Sequence, residues 1–198
     1  MFPSPEPIES NDDVQRRLAA LASVAAAVSG AYELEEVVDL AAEQIRGALG
    51  VASVSISRWH LAEGVLQTLI NVGDLGPGEE RWPAYETYDI AMFPVAHSVL
   101  RQGEAHVTSL TMDNADPAEV ELLLELGKES CAAVPIVYDG STWGEVYVTN
   151  ASGTPDLTDE DVEFLQEICA QLSLAIGRAE RYSALMEAAY RDALTGLA

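Results

Sequence analysis

Apolar residues recur at spacings of three and four from Asp13 to about Ser29, where Val14, Leu18, Leu21, Ala25 and Val28 share one side. That spacing predicts an amphipathic helix, and Gly30 ends it. A second helix is predicted from Leu34 to Leu49, with Leu34, Val37, Val38, Ala41, Ile45 and Leu49 on one side and Gly50 as its stop. The period then falls from 3.6 to 2. In VASVSISRW, Val54 and Ile56 alternate with Ser53, Ser55 and Ser57, the pattern of a half-buried strand. Gly64 separates it from a second strand, VLQTLINV, so the two form a hairpin. Residues 74–92 carry Gly, Pro and aromatics without a period. Pro94–Arg101 reads as a short helix and EAHVTSL as a short strand.

Asp116 is an N-cap with Pro117 at the first helical position. Val120, Leu123, Leu124 and Leu126 are the inward candidates of that helix, and Gly127 closes it. CAAVPIVYDGSTWGEVYVTN is the clearest hairpin, an apolar strand and an alternating strand joined at Asp139-Gly140. LTDEDVEFLQ begins a long helix, with Thr158 as N-cap and Asp161 placed to close a capping box. The helix is predicted to run to about residue 191, a length of ~50 Å at 1.5 Å per residue. Helices grouped around strands that come as hairpins predict an α+β fold with a central antiparallel sheet. Residues 1–12, rich in Pro and Glu, read as a disordered tail.

Composition narrows the functions. The chain has 198 residues, 48% of them hydrophobic, enough for one well-cored domain. Its formal net charge is −23, from 33 acidic against 10 basic residues. So acidic a surface repels phosphate backbones and anionic membranes, which argues against nucleic-acid and membrane partners. A local pocket of opposite sign would still admit a small nucleotide. No apolar run approaches the ~20 residues of a membrane span, and the opening MFPSPEPIESNDD lacks the basic and apolar regions of a signal peptide. These features predict a cytoplasmic protein. Two cysteines, Cys131 and Cys169, are too few for a disulfide framework. His60, His97 and His106 have no metal-ligand spacing, and Asp113, Asn114 and Asp116 lack the glycine and terminal glutamate of a calcium loop, so no metal is expected.

The stretch VPIVYDGSTWGEVYVTN followed by LTDEDVEFLQEICAQLSLAI resembles the GAF family. The matching pieces are Val134-Pro135-Ile136, the Asp139-Gly140 turn, Gly144 to Val148, and Thr158 to Asp161. In FPVAHSVLRQGEAHVTSL, Leu100 to Gly103 resembles the turn in the middle of that family. The resemblance covers roughly residues 15–180 and implies a GAF fold with long N- and C-terminal helices. The final YRDALTGLA resembles the opening of GGDEF domains at Asp192, Leu194, Thr195, Gly196 and Leu197. What this implies is a GAF domain over 13–180, an output helix over 181–191 and the start of a truncated GGDEF domain over 192–198. The parent would make cyclic di-GMP from GTP, with a phosphodiesterase domain also conceivable, while the fragment itself would be no enzyme and carry no catalytic residue.

GAF domains bind small molecules between the sheet and the middle helix and loops. Here that region offers Trp59, Trp82, Tyr85, Tyr88, Phe93, His97 and Arg101 as ligand-binding candidates. Aromatics with one Arg and one His could stack a planar ligand and hold an anionic group, including a cyclic nucleotide. The plainer alternative is a collapsed pocket whose aromatics only fill the core. No cofactor is expected, although His97 would be the candidate if haem were held. Tyr88-Asp89-Ile90 only faintly resembles a phytochrome motif, because Ala91 stands where that motif has proline. From Leu165 a heptad can be written with rows Leu165, Leu172, Ala179, Met186 and Ile168, Ala175, Tyr182, Ala189, the seam of a parallel homodimer. A second register pairs the first row with Cys169, Ile176, Ser183 and Tyr190, which suggests a two-register switch. The alternative is that the first half of the helix packs on its own sheet. The alternative function is a stand-alone GAF enzyme using Cys131 in thiol chemistry, such as reduction of a small oxidised metabolite.

Overall fold

A computed structural model describes residues 10–30 and 33–195, with side chains as far as residue 186. The element order is α1 (Asn11–Ser29), α2 (Leu34–Leu49), β1 (Ser53–His60), β2 (Val65–Gly73), β3 (Thr87–Asp89), a single 3-10 turn (Ile90–Met92), α3 (Pro94–Arg101), β4 (His106–Ser109), α4 (Pro117–Leu126), β5 (Lys128–Tyr138), β6 (Ser141–Ala151) and α5 (Asp159–Thr195). The predicted α+β architecture with an antiparallel sheet is what forms. The six strands lie in the order β3-β2-β1-β6-β5-β4, antiparallel at each pairing.

Local chemistry sets the helix ends. Ser10 and Asp13 close a capping box at the start of α1, so Asn11 and Asp12 are helical and not part of a tail. Asp116 accepts from the Ala118 N–H at α4, and Thr158 with Asp161 closes the box at α5. Gly50 and Gly127 end α2 and α4 in the left-handed region, where a glycine has no Cβ to clash.

The sheet separates two layers. On one face α1, α2 and α5 bury Val24, Val37, Ile45, Leu165, Ile168, Leu172 and Ile176 against Val54, Ile56, Ile70, Val134, Ile136, Val146 and Val148. Each such side chain contributes roughly 1.5–3 kcal/mol on leaving water, which makes this face the main core. The other face carries a smaller cluster of Trp59, Ala96, Leu100 and Ala133 beneath α3. Two inward assignments are corrected by packing. Leu18 is 55% exposed because α1 turns Ala20, Val24 and Ala27 inward, and Leu124 is 62% exposed while its neighbour Leu123 is fully buried.

The predicted dimer seam is corrected in its first half. Leu165, Ile168, Leu172 and Ala175 are buried against the domain's own sheet, as are Cys169 and Ile176 of the second register. Core packing and coiled-coil packing use the same three-four spacing, and the sheet takes this segment. A seam between copies therefore has only the later positions. Ala179 is half-buried, while Tyr182 and Met186 are exposed. The Ala189 and Tyr190 side chains, the segment 1–9 and the segment 196–198 lie outside the described residues.

At the centre of the sheet, β6 crosses β1 with Gly144 paired to Arg58. A Cβ at Gly144 would overlap the Ser57 carbonyl and lie 3.2 Å from the Arg58 Cα, so the two backbones meet at a distance only glycine permits. Beside it β6 carries a bulge, in which Ile136 pairs with Gly144 but Val137 with Thr142, leaving Trp143 unopposed. The bulge turns Trp143 onto the helix face, while Glu145 and Tyr147 point to the other. Gly144→Ala is expected to destabilise the domain by about 1–3 kcal/mol through overpacking, read as a lowered urea midpoint with an unchanged m-value.

Candidate ligand pocket

The smaller face is not filled. Between β1, β2, β5, β6, α3, α4 and the 74–92 connection lies a cavity with about 80 Å³ open to the centre of a water-sized sphere. That is room for several waters or one compact ligand. Pleating aims Ser55, Ser57 and Trp59 of β1 into it, opposite the face on which Val54 and Ile56 join the core. From β6 come Glu145 and Tyr147, from α3 Ala96, His97 and Leu100, and from α4 Glu119, Leu122 and Leu126. Tyr88 reaches it because β3 pairs with β2 through Leu66, and Pro94 starts α3 where Phe93 and His97 overhang the opening.

Acidic groups dominate the polar lining. Glu145, only 7% exposed, accepts from the Trp59 Nε1–H at 3.4 Å. Burial pushes its carboxyl up to about 7, only partly opposed by that hydrogen bond. Glu119, also buried, meets His106 Nε2 at 2.9 Å and accepts from Thr108 Oγ1 at 3.0 Å. Glu86 accepts from Asn71 Nδ2 at 2.9 Å and Tyr88 Oη at 3.3 Å. Glu79 is raised above the usual carboxylate range by burial, against the opposing Gly76 N–H bond. The Tyr88 phenol is raised by burial and by Glu86 beside it. His97 lies 4.7 Å from Trp59, ring centre to ring centre, with planes tilted by 39°. Burial, reinforced by the Arg101 charge, lowers its pKa, and its Nε2 is buried with no hydrogen-bond partner. Among the described residues no lysine or arginine side chain lines the cavity. Lys128 Nζ donates instead to the Asp74 carbonyl at 2.6 Å and carboxylate at 3.0 Å.

Of the seven expected ligand residues, Trp59, Tyr88, Phe93 and His97 gather around this cavity. The other three do not. Arg81 is paired with Asp39 and Glu43 of α2, which holds the neighbouring Trp82 on the helix face of the sheet. There Trp82 borders a separate groove with Leu34, Val38, Leu69 and Trp143. Tyr85 is 93% exposed, and Arg101 is exposed at the end of α3. The anion-holding arginine is therefore absent from the lining, and the carboxylates replace it. Glu79, Glu86, Glu119 and Glu145 were not among the expected residues. The available signal was Glu145 standing in register with Tyr147 inside an otherwise apolar and small-residue strand. Neither cysteine lines the cavity. Burial pushes the Cys131 thiol up to about 12 and raises Cys169 as well, the opposite of an activated nucleophile. Covalent attachment of a linear tetrapyrrole also needs a thiol at the pocket, so the lining does not fit that cofactor. Among the described residues no group of three or more His, Cys, Asp or Glu could hold a metal ion.

The Glu145 shift fixes a pH dependence. Its folded pKa lies above the ordinary 4.5, so the folded state holds a proton that the unfolded state releases. Stability from this group falls as pH rises from about 4.5 through about 7, by a total on the order of 3 kcal/mol. Glu145→Gln should abolish that fall, so the variant gains on the wild type by about 2–3 kcal/mol between about pH 5 and pH 8. Urea unfolding at the two pH values measures this, and parallel losses in both proteins would contradict it.

Comparison with known proteins places this architecture. The GAF domain family model matches residues 33–176. An uncharacterized protein in the hutH 5′ region of Streptomyces griseus is 36% identical over 63 residues, covering 32% of this chain. The matched stretch spans 26% of that relative's own length. Among solved structures, the phycoerythrobilin-bound GAF domain of a cyanobacterial phytochrome superposes with a TM-score of 0.71 at 16% identity, covering 86% of this chain and 99% of that one. The GAF domain of an Acinetobacter phosphoenolpyruvate-protein phosphotransferase gives 0.66 at 20% identity, with 87% and 97% covered. The chromophore-binding domain of a bacteriophytochrome from R. palustris gives 0.73 at 15% identity, with 90% and 66% covered. At these identities the structures show a common fold, and with the family model spanning most of its length, this chain belongs to the GAF domain family of regulatory sensory domains.

Proposed function

We propose that this domain senses a small molecule in the acidic cavity and passes its state along α5 to a GGDEF domain, setting the rate of cyclic di-GMP synthesis in a parallel dimer. One observation carries the transmission step. Arg58 and Trp59 are neighbours on β1, and pleating sends Trp59 into the cavity and Arg58 to the helix face. Arg58 Nη2 meets Glu180 Oε1 of α5 at 3.0 Å, and the Trp143 Nε1–H donates to the same oxygen at 3.1 Å. The Arg58 guanidinium also lies 5.2 Å over the Trp143 ring. Glu180 stands just beyond Ile176 and Gly177, the last buried residues of α5. Gly177 itself passes so close to Tyr138 that a Cβ there would come 2.8 Å from the ring. A shift of β1 caused by a ligand against Trp59 is thus applied to α5 where the helix leaves the core.

The GGDEF assignment rests on the similarity of Asp192, Leu194, Thr195, Gly196 and Leu197 to the start of such domains, and on α5 continuing to Thr195. The dimer rests on the exposed Tyr182, Leu185 and Met186 along the part of α5 beyond the core. A thiol-dependent reductase is less well supported, since burial raises the Cys131 thiol and Cys131 is not in the cavity lining.

In a protein carrying this domain with its GGDEF partner, Glu180→Gln should change the rate of cyclic di-GMP formation several-fold. It should lower stability by no more than about 1 kcal/mol, since the ion pair is half-exposed and the amide keeps an oxygen that can accept from Trp143. An unaltered rate with and without ligand would remove this contact from the signal path. Single cysteines replacing Tyr182 and Ser183 sample the two seam registers beyond the core. Oxidised dimers of the two variants are expected to differ in cyclase rate, and equal rates would leave one register only.

A further inference from the structure

We propose that the cavity selects a compact organic cation, an ammonium or guanidinium on an aromatic or aliphatic body, with Glu145 as its counter-ion. This rests on the reading of the cavity as the sensory site and adds the chemical class of what enters it.

Three independent features point the same way. The first is the balance of charge within one enclosure. Glu79, Glu86, Glu119 and Glu145 line it, and among the described residues no Lys or Arg side chain does. The cations nearby are already engaged: Lys128 with Asp74, and His106, if protonated, with Glu119 of the lining itself. Arg101 is exposed. A phosphate or carboxylate entering here would meet carboxylates without a compensating charge, whereas a cation replaces the missing one.

The second feature is unmet hydrogen-bonding capacity. Glu119 is held by His106 and Thr108, and Glu86 by Asn71 and Tyr88. Glu145 is more than nine-tenths buried, yet its one hydrogen bond is the 3.4 Å contact from Trp59 to Oε2. Its Oε1 has no hydrogen-bond partner among the described residues. A buried carboxylate has room for about four donors, and an N–H-rich ligand fills that room from the cavity side. His97, also in the lining, has a buried Nε2 with no hydrogen-bond partner.

The third feature is the wall. Trp59, Tyr88, Phe93 and Tyr147 surround the carboxylates. Aromatic faces attract a desolvated cation and tolerate an apolar body, and they offer nothing comparable to an anion. The combination of a half-satisfied carboxylate with aromatic walls separates this site from a mere cluster of surface acids.

The test uses the purified chain and three phenylalkyl probes of similar size: phenethylamine (cationic), phenethyl alcohol (neutral) and 3-phenylpropionate (anionic). Thermal unfolding and tryptophan fluorescence are followed as each is titrated to millimolar concentration, with cyclic di-GMP as a fourth titrant. Phenethylamine is expected to raise the melting temperature and perturb the fluorescence, binding at least about tenfold more tightly than the other two. Glu145→Gln, which keeps the side-chain shape, should remove most of that preference and leave the alcohol unchanged. A control needs no variant. In the wild type, amine binding should tighten from pH 6 to pH 8 while alcohol binding does not. Glu79, Glu86, His97 and Glu119, the last paired with His106, face Glu145 across the cavity. Equal binding of 3-phenylpropionate, or tight binding of cyclic di-GMP, overturns the cation selectivity but leaves the cavity as a sensory site. Binding of none of the four overturns both. Undiminished amine preference in folded Glu145→Gln, together with a flat pH series in the wild type, overturns the role of Glu145.

Discussion

The contact between β1 and β6 at Gly144 constrains more of this molecule than any other. Two backbones approach there so closely that a single added carbon would meet the Ser57 carbonyl. The approach sets the register of the two central strands, and the register decides which residues face which layer. Val54, Ile56, Val146 and Val148 are committed to the helices, and Ser57, Trp59, Glu145 and Tyr147 to the cavity. The bulge beside Gly144 then moves Trp143 out of that alternation and places it with Arg58 on the helix face. Core, cavity and the contact to α5 all follow from one crossing.

The cavity illustrates how a domain of extreme negative charge uses burial to give acidity a local meaning. On the surface, most of the 33 carboxylates are solvated and add little beyond solubility. Removed from water, Glu145 holds a proton near neutral pH, and its neighbours are restrained by hydrogen bonds from Asn71, Thr108 and His106. The polarity expected from the aromatic, arginine-bearing segment is reversed. Arg101 stays in solvent, and the strand opposite contributes the charge.

Much of the fold was legible from period and punctuation. The α2 limits Leu34–Leu49 and the α3 limits Pro94–Arg101 coincide with the expected ones, and the Asp139-Gly140 turn adopts positive φ at both residues. These are places where local chemistry and global packing agree. Periodicity could not show β3, since three residues carry no period and their strand character comes from pairing with β2. Nor could it distinguish a heptad meant for a partner from one meant for a sheet, and Leu165 to Ile176 went to the sheet. The cavity was half legible. Aromatics near a presumed site stand out in a sequence, but a glutamate on an alternating strand reads as its solvent face until another layer is seen to cover it. Trp82 and Tyr85 show the converse error, since nearness along the chain to Tyr88 said nothing about the turn of the backbone around Arg81.

Lys128 is the one lysine in the chain, and it is 3% exposed with its amine enclosed by Asp74. The folded domain therefore shows side-chain amine chemistry almost no target. Reagents that acylate lysine reach this residue only when the start of β5 parts from the 74–92 connection. The extent of labelling over time becomes a clock for that opening, and the same connection carries Glu79, Glu86 and Tyr88 over the cavity. One buried amine would thus give a chemical record of any opening between the start of β5 and the connection that roofs the pocket.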